Sequence, residues 1–83
     1  MSSIAKIVER MRRQPAGVGF ADLREVCEAH FGPPRQSGTS PLVFRTPWPG
    51  DPRVNIQPGE AGKAKAYQVR QVLRAIDRLK ELP

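Results

Sequence analysis

The residue types that most often carry out catalysis are scarce in this chain. It has one histidine, His30, and one cysteine, Cys27, and both fall on the apolar side of the same predicted helix. A histidine at such a position is usually satisfied by a nearby carbonyl group. A cysteine there is a buried, inert thiol, because reactive thiols need exposure and neighbouring positive charge. One cysteine and one histidine also exclude an internal disulfide and an ordinary structural zinc site.

Carboxylates and sequence motifs point to no catalytic site either. Asp22, Glu25 and Glu28 follow one helix surface, which is most simply a solvated face. The chain contains no phosphate-binding P-loop, no dinucleotide-binding G-x-G-x-x-G and no HExxH zinc motif. We therefore expect no metal and no cofactor.

Basic residues give the clearest chemical signal. The 83 residues include 14 Lys and Arg against 8 Asp and Glu, for a net charge of +6. Ten of these cations are arginines, whose planar guanidinium groups bind phosphate with paired hydrogen bonds. Residues 33–83 carry most of the excess, with nine basic and four acidic residues. This balance favours a polyanionic partner such as nucleic acid.

Apolar spacing predicts three helices that would position these groups. The first covers residues 1–14, and the second covers residues 20–31, ending where Gly32 and two prolines prevent its continuation. The last helix has arginines on a second face, at positions 70, 74 and 78. Its apolar stripe, expected to pack on a sheet, consists of Val69, Val72, Leu73, Ile76 and Leu79.

The middle of the chain predicts strands, because seven of the nine prolines lie between residues 33 and 62. Two β-like runs span residues 42–46 and 53–57, and a broad turn joins them. A weaker run at residues 34–37 predicts a third strand, followed by a tight turn at residues 38–40. The expected fold is a single α+β domain over residues 1–83, a three-stranded antiparallel sheet with helices on one face, in the order α-α-β-β-β-α.

This arrangement predicts a cationic groove on the open face of the sheet. Alternation places one arginine from each strand on the face opposite the helices. Trp48, in the turn between two strands, has two open interpretations: it stacks on an RNA base, or it packs between prolines and pins the loop. The candidate RNA-binding residues are Arg35, Arg45, Arg53, Lys63, Lys65, Arg70 and Arg74.

Several segments together resemble the HicA toxin family, which includes the YcfA-like proteins. The matching segments are Phe20-Ala21-Asp22-Leu23-x-x-Val26, Phe31-Gly32, the run from Arg35 to Ser40, and Leu42-Val43-Phe44. The resemblance covers residues 18–80, so residues 1–14 form an additional N-terminal helix. It implies a double-stranded-RNA-binding-like fold and the activity of an mRNA interferase, a toxin of a type II toxin–antitoxin system. It also implies two partners, mRNA and a HicB-like antitoxin protein.

The position of the family's catalytic residue is occupied by Pro41. The family has a histidine after the small segment that Gly38, Thr39 and Ser40 match here. Proline has no titratable group and cannot act as a general acid or base. The resemblance therefore predicts an endoribonuclease scaffold that lacks activity. Two explanations stay open: a natural relative that binds RNA without cutting it, and an inactivated toxin.

Other classes of function remain as alternatives. A non-catalytic RNA-binding module would bind RNA in a salt-dependent manner, whereas a protein-interaction domain would bind no RNA at physiological salt. A protein that reads double-stranded DNA is a weaker candidate, because the second helix is acidic and would repel the duplex. No apolar run approaches the ~18 residues of a membrane span, and the N-terminus lacks a signal-peptide core. We expect a cytoplasmic protein without membrane contact.

Overall fold

The chain folds into three helices and a two-stranded antiparallel sheet in a computed structural model. The structure describes residues 3–35 and 41–82. This confirms the α+β class, and the three predicted helices and the two clearly predicted strands are all present. Short 3₁₀ turns at Pro15–Gly17 and Glu60–Gly62 connect them. The elements are α1 (Ile4–Arg13), α2 (Phe20–Phe31), β1 (Leu42–Phe44), β2 (Val54–Ile56) and α3 (Ala66–Glu81).

Helix α1 packs against both other helices rather than standing apart from them. Its apolar stripe buries Ile7 and Met11 in the same core that the remaining elements build. Arg12 ties its exposed side to α3, with a guanidinium nitrogen 2.6 Å from a carboxylate oxygen of Asp77. That hydrogen bond lowers the pKa of Asp77. The N-terminal helix is thus part of the packed unit.

Helix α2 ends at Gly32, whose backbone has φ +81° and ψ −170°. A side chain is strained at this positive φ, and glycine therefore suits the position. The Gly32 amide still donates to the Glu28 carbonyl before Pro33 and Pro34 turn the chain towards the sheet. The predicted end of this helix is confirmed.

Helix α3 forms the centre of the packing. Its predicted apolar stripe is buried along four positions, with Leu79 partly buried at the C-terminal end. The helix contacts α1, α2 and β2. The arginines at positions 70, 74 and 78 are exposed, as their spacing predicts.

The sheet pairs Leu42 with Ile56 and Phe44 with Val54. These four side chains are buried towards the helices, whereas Asn55 is exposed on the opposite face. The predicted third strand, residues 34–37, is described only to Arg35, whose amide donates to the Val43 carbonyl at 2.7 Å. The described sheet therefore has two strands, and residues 36–40, with the predicted turn, lie outside the described part.

The segment between β2 and α3 is held against the start of α2. The Ala64 amide donates to the Val18 carbonyl at 2.8 Å, and Lys63 forms an isolated β-bridge with Gly19. These bonds fix the backbone from which Lys63 and Lys65 extend. Within residues 3–35 and 41–82, no helix combines the length and the apolarity that crossing a bilayer demands.

Candidate nucleic-acid interface

Three arginines from separate segments meet on the open side of the sheet. Arg35 precedes the edge of β1, Arg45 follows β1 and Arg53 precedes β2, and all three are exposed. They line an open groove of about 520 Å³, which we call the arginine groove. The three arginines line one groove, but each lies next to a described strand or before it rather than within it, so the predicted alternation along three strands stays a prediction. The groove is lined by Arg35, Val43, Phe44, Arg45, Thr46, Trp48, Gly50 and Arg53.

The electrostatics of the arginine groove are one-sided. No carboxylate is among its lining residues. Four ion pairs between described residues lie in the helical layer: Arg10–Asp22, Arg12–Asp77, Arg13–Glu9 and Arg24–Glu28. Asp51 and Glu60 lie in the segments that flank β2, so the absence of acid is a property of the groove lining and not of the whole sheet side. The cationic lining concentrates anions at the mouth of the groove.

Lys65 is held at the far end of β2. Its ammonium nitrogen donates to the Gln57 side-chain oxygen at 3.0 Å. The Gln57 amide in turn donates to the side-chain oxygen of Gln68 at 2.8 Å, and Gln68 is buried within α3. The sequence reasoning missed Gln68. The sequence does contain a sign of its role, because Gln68 lies one helical turn before Val72 on the apolar stripe of α3. A polar side chain buried at such a position must be hydrogen-bonded.

Arg70 and Arg74 lie on the exposed side of α3. Arg74 lines a second groove, of about 710 Å³, which is separate from the arginine groove and also contains acidic groups. The predicted flanking residues are therefore spread over neighbouring surfaces. The second groove is lined by Asp51, Pro52, Gln71, Arg74, Asp77, Arg78 and Glu81.

Trp48 is a loop anchor, and of its two open interpretations the structure favours packing over an exposed stacking side chain. The residue is only 6% exposed, and its indole N–H donates to the Pro52 carbonyl at 3.0 Å. The guanidinium of Arg78 lies 5.1 Å from the ring centroid, a cation–π contact that occupies a face of the ring. The second interpretation, in which Trp48 pins the loop between the strands, agrees with these contacts.

Pro41 lies immediately before β1 and is half-buried. The Val43 carbonyl accepts from the Arg35 amide and therefore points away from β2. Residues two apart in a strand direct their backbone groups to the same side, so the backbone groups of position 41 also point away from β2. The amide that proline lacks is therefore not one that the β1–β2 pair would use. A proline fits this position without loss to the described ladder. The matching residues Gly38, Thr39 and Ser40 lie outside the described part.

His30 and Cys27 are structural, as their positions on the apolar stripe predict. Nδ1 of His30 donates to the Val26 carbonyl at 3.0 Å. Cys27 is fully buried, and burial, followed by the charge of Glu28, raises the pKa of its thiol to about 12. Both residues belong to the helical layer, and neither lines the arginine groove.

The geometry can bind phosphate but offers no proton-transfer group at position 41. Among the described residues, no three His, Cys, Asp or Glu side chains come together as a metal site. No family model, no curated protein and no solved structure matches this chain. The function therefore rests on the chain's own residues and their arrangement.

Proposed function

We propose that this chain is a HicA-like toxin scaffold that binds RNA through the arginine groove and does not cleave it. One observation carries the proposal: three exposed arginines from three segments line a groove without a carboxylate. Arginine forks match phosphate oxygens, and a groove free of negative charge does not repel them. A sugar–phosphate backbone carries a phosphate at every nucleotide and can therefore contact several arginines at once.

The resemblance to HicA toxins supplies the finer part of the proposal. The hydrogen bond between the Arg35 amide and the Val43 carbonyl is the kind that a third strand beside β1 would make. We propose that the segment after Arg35 completes a three-stranded, double-stranded-RNA-binding-like sheet. The chain would then act in the cytoplasm on mRNA, as part of a type II toxin–antitoxin system whose HicB-like antitoxin covers the cationic face.

The lack of cleavage follows from Pro41. RNA cleavage at the 2′-hydroxyl needs a group that removes a proton and a group that returns one, and proline can do neither. His30, the chain's single histidine, is in the helical layer with Nδ1 bonded to a backbone carbonyl. The chain would therefore bind RNA at a site that lacks the general acid–base side chain at position 41.

RNA binding is tested by titrating a labelled single-stranded RNA at several salt concentrations. The logarithm of the association constant should fall linearly with the logarithm of the salt concentration, with a slope of about −0.7 for each phosphate contact. Replacing Arg45 and Arg53 by Glu should weaken binding and make that slope shallower by about 1.4, because two contacts are lost. Binding that is independent of salt, or unchanged in this variant, would show that the groove is not the interface.

The matched control changes the net charge equally on the helical side. Lys6 and Arg13 are exposed on α1, away from the arginine groove. The Lys6→Glu/Arg13→Glu variant has the same net charge as Arg45→Glu/Arg53→Glu. It should keep the wild-type salt slope. An equal loss in both variants would mean that net charge alone attracts RNA.

A non-catalytic RNA-binding module is the second candidate, and Pro41 is the observation that favours it. The two candidates share binding and differ in whether the scaffold can support cleavage. Incubating RNA with the Pro41→His variant separates them. Cleavage by the variant supports the interferase scaffold, whereas binding without cleavage supports the module.

A further inference from the structure

Tyr67 is the one aromatic side chain that the fold leaves in solvent. The chain has three Phe, one Trp and one Tyr. Phe44 and Trp48 are buried, whereas Tyr67 is 57% exposed on the first turn of α3. A large ring that stays exposed to solvent contributes little to the free energy of folding. Exposed aromatic rings serve as stacking surfaces in proteins that bind single-stranded nucleic acid.

Hydrogen bonds connect Tyr67 to the end of the sheet. Its hydroxyl oxygen accepts from the Gln68 side-chain nitrogen at 3.4 Å, and the other end of Gln68 accepts from the Gln57 amide. Lys65 donates to the Gln57 side chain. Tyr67 therefore belongs to the same hydrogen-bonded cluster as Lys65. This cluster includes Gln57, which lies opposite Pro41 when the register of Leu42 with Ile56 is extended by one residue.

Basic residues extend from this ring in two directions. Arg70 and Arg74 follow at three and seven residues along α3, so they lie on the same exposed side of the helix. Along the other direction, β2 leads from Gln57 back to Arg53 over about 13 Å, at roughly 3.3 Å per residue. That distance corresponds to two or three nucleotides of an extended strand.

We propose that Tyr67 stacks on an unpaired base of a single-stranded RNA whose phosphates lie in the arginine groove. This inference rests on the proposed function and adds the class of RNA. A base in a duplex already stacks on its neighbours and presents no free face. Tyr67 therefore selects single-stranded over double-stranded RNA, while the arginines bind the backbone of either.

Three substitutions at one position test the stacking. Tyr67→Ala removes the ring, Tyr67→Leu keeps apolar volume without a π face, and Tyr67→Phe keeps the ring without the hydroxyl. Affinity for a single-stranded RNA octamer should fall about 5- to 150-fold in the Ala and Leu variants and stay close to wild type in Tyr67→Phe. The salt slope should not change, because no charge is lost. Affinity for a duplex of the same sequence should hardly change.

A fluorescent base reports the stacking itself. A 2-aminopurine in the octamer should be quenched by the wild-type protein and by Tyr67→Phe, but not by Tyr67→Ala. Leu82, the other large apolar side chain exposed among the described residues, provides the control, and Leu82→Ala should behave like wild type.

Each outcome separates this inference from the proposed function. If the wild-type protein binds no RNA, both fail. If binding depends on salt and on Arg45 and Arg53 but Tyr67→Ala is unaffected, the groove stands and the stacking role is overturned. An equal loss for single-stranded and duplex RNA would also overturn it.

Discussion

In the proposed function, the residue at position 41 determines whether the chain only binds RNA or also cleaves it. Pro41 costs the described ladder no hydrogen bond, because the amide it lacks would point away from β2. Its neighbour across the extended register is Gln57, whose side-chain oxygen accepts a hydrogen bond from Lys65. The residue is structurally compatible with the sheet and chemically inert.

Replacing Pro41 by histidine should therefore create activity without disturbing the fold. General acid–base groups contribute about 10²- to 10⁴-fold in rate, so the variant should cleave RNA that the wild-type chain leaves intact. Its rate should change near pH 6.5, where a free imidazole titrates. Gel analysis of labelled RNA over a pH series provides the measurement. Cleavage by the wild-type chain at a similar rate would place catalysis elsewhere, and His30→Gln would then test the remaining histidine.

Cys27 links protonation to stability. Burial raises the pKa of its thiol from 9.0 to about 12, so the folded state favours the protonated form. The stabilising contribution is complete below pH 9 and is lost as pH rises from 9 towards 12. We expect the free energy of unfolding in urea to fall more steeply over this range in the wild-type protein than in Cys27→Ala. Parallel curves for the two proteins would contradict a buried thiol.

At the scale of elements, α3 is the helix on which the others depend. It contacts α1 and β2 and supplies the longest run of core side chains. The same helix presents its arginines and Tyr67 to solvent, so one element joins the core to the candidate interface. Changes to its buried side should therefore lower stability, while changes to its exposed side should lower only binding.

Truncating Leu73 to Ala should cost about 2–5 kcal/mol of unfolding free energy, because the side chain is 8% exposed in the core. The neighbouring Arg74 is exposed, and Arg74→Ala should change stability by no more than about 0.5 kcal/mol. Urea denaturation followed by circular dichroism measures both. A loss below about 1 kcal/mol in Leu73→Ala would contradict the packing of α3.

The helices were predictable from sequence because a period of 3.6 residues is visible within one segment. The stripe that includes Ile7 and Met11 predicted α1 without any knowledge of its neighbours. Pairing of strands depends on residues far apart in the chain, and the weak run at 34–37 carries no alternation that specifies it. The three groove arginines could be named because they adjoin segments with a β-like pattern. The choice between the two interpretations of Trp48 could not be made from sequence, because it depends on a contact with Arg78 from another element.

At the scale of the whole molecule, ion pairing differs between the helices and the groove. Four ion pairs lie on the helical side, whereas the lining of the arginine groove contains no acid. Under the proposed function, polyanions bind at this groove rather than at any basic surface, and an acidic protein partner binds there too.

An acidic HicB-like antitoxin should therefore compete with RNA for the same face. Opposite charge on the two surfaces accelerates association, and the covered groove can no longer reach phosphate. Adding such a partner should displace labelled RNA in a fluorescence anisotropy titration. The Arg45→Glu/Arg53→Glu variant should bind both ligands more weakly than the wild-type protein. The Lys6→Glu/Arg13→Glu variant should bind both with wild-type affinity. Simultaneous binding of RNA and partner would contradict a shared surface.

The bonds that hold Val18 and Gly19 to Lys63 and Ala64 have a consequence for the rate of folding. They join the start of α2 to the approach to α3, so α2 and both strands lie within the loop they close. The two ends of this loop are far apart in the chain, and non-local contacts of this kind slow folding. We expect the helices, whose hydrogen bonds are local, to form before this loop closes.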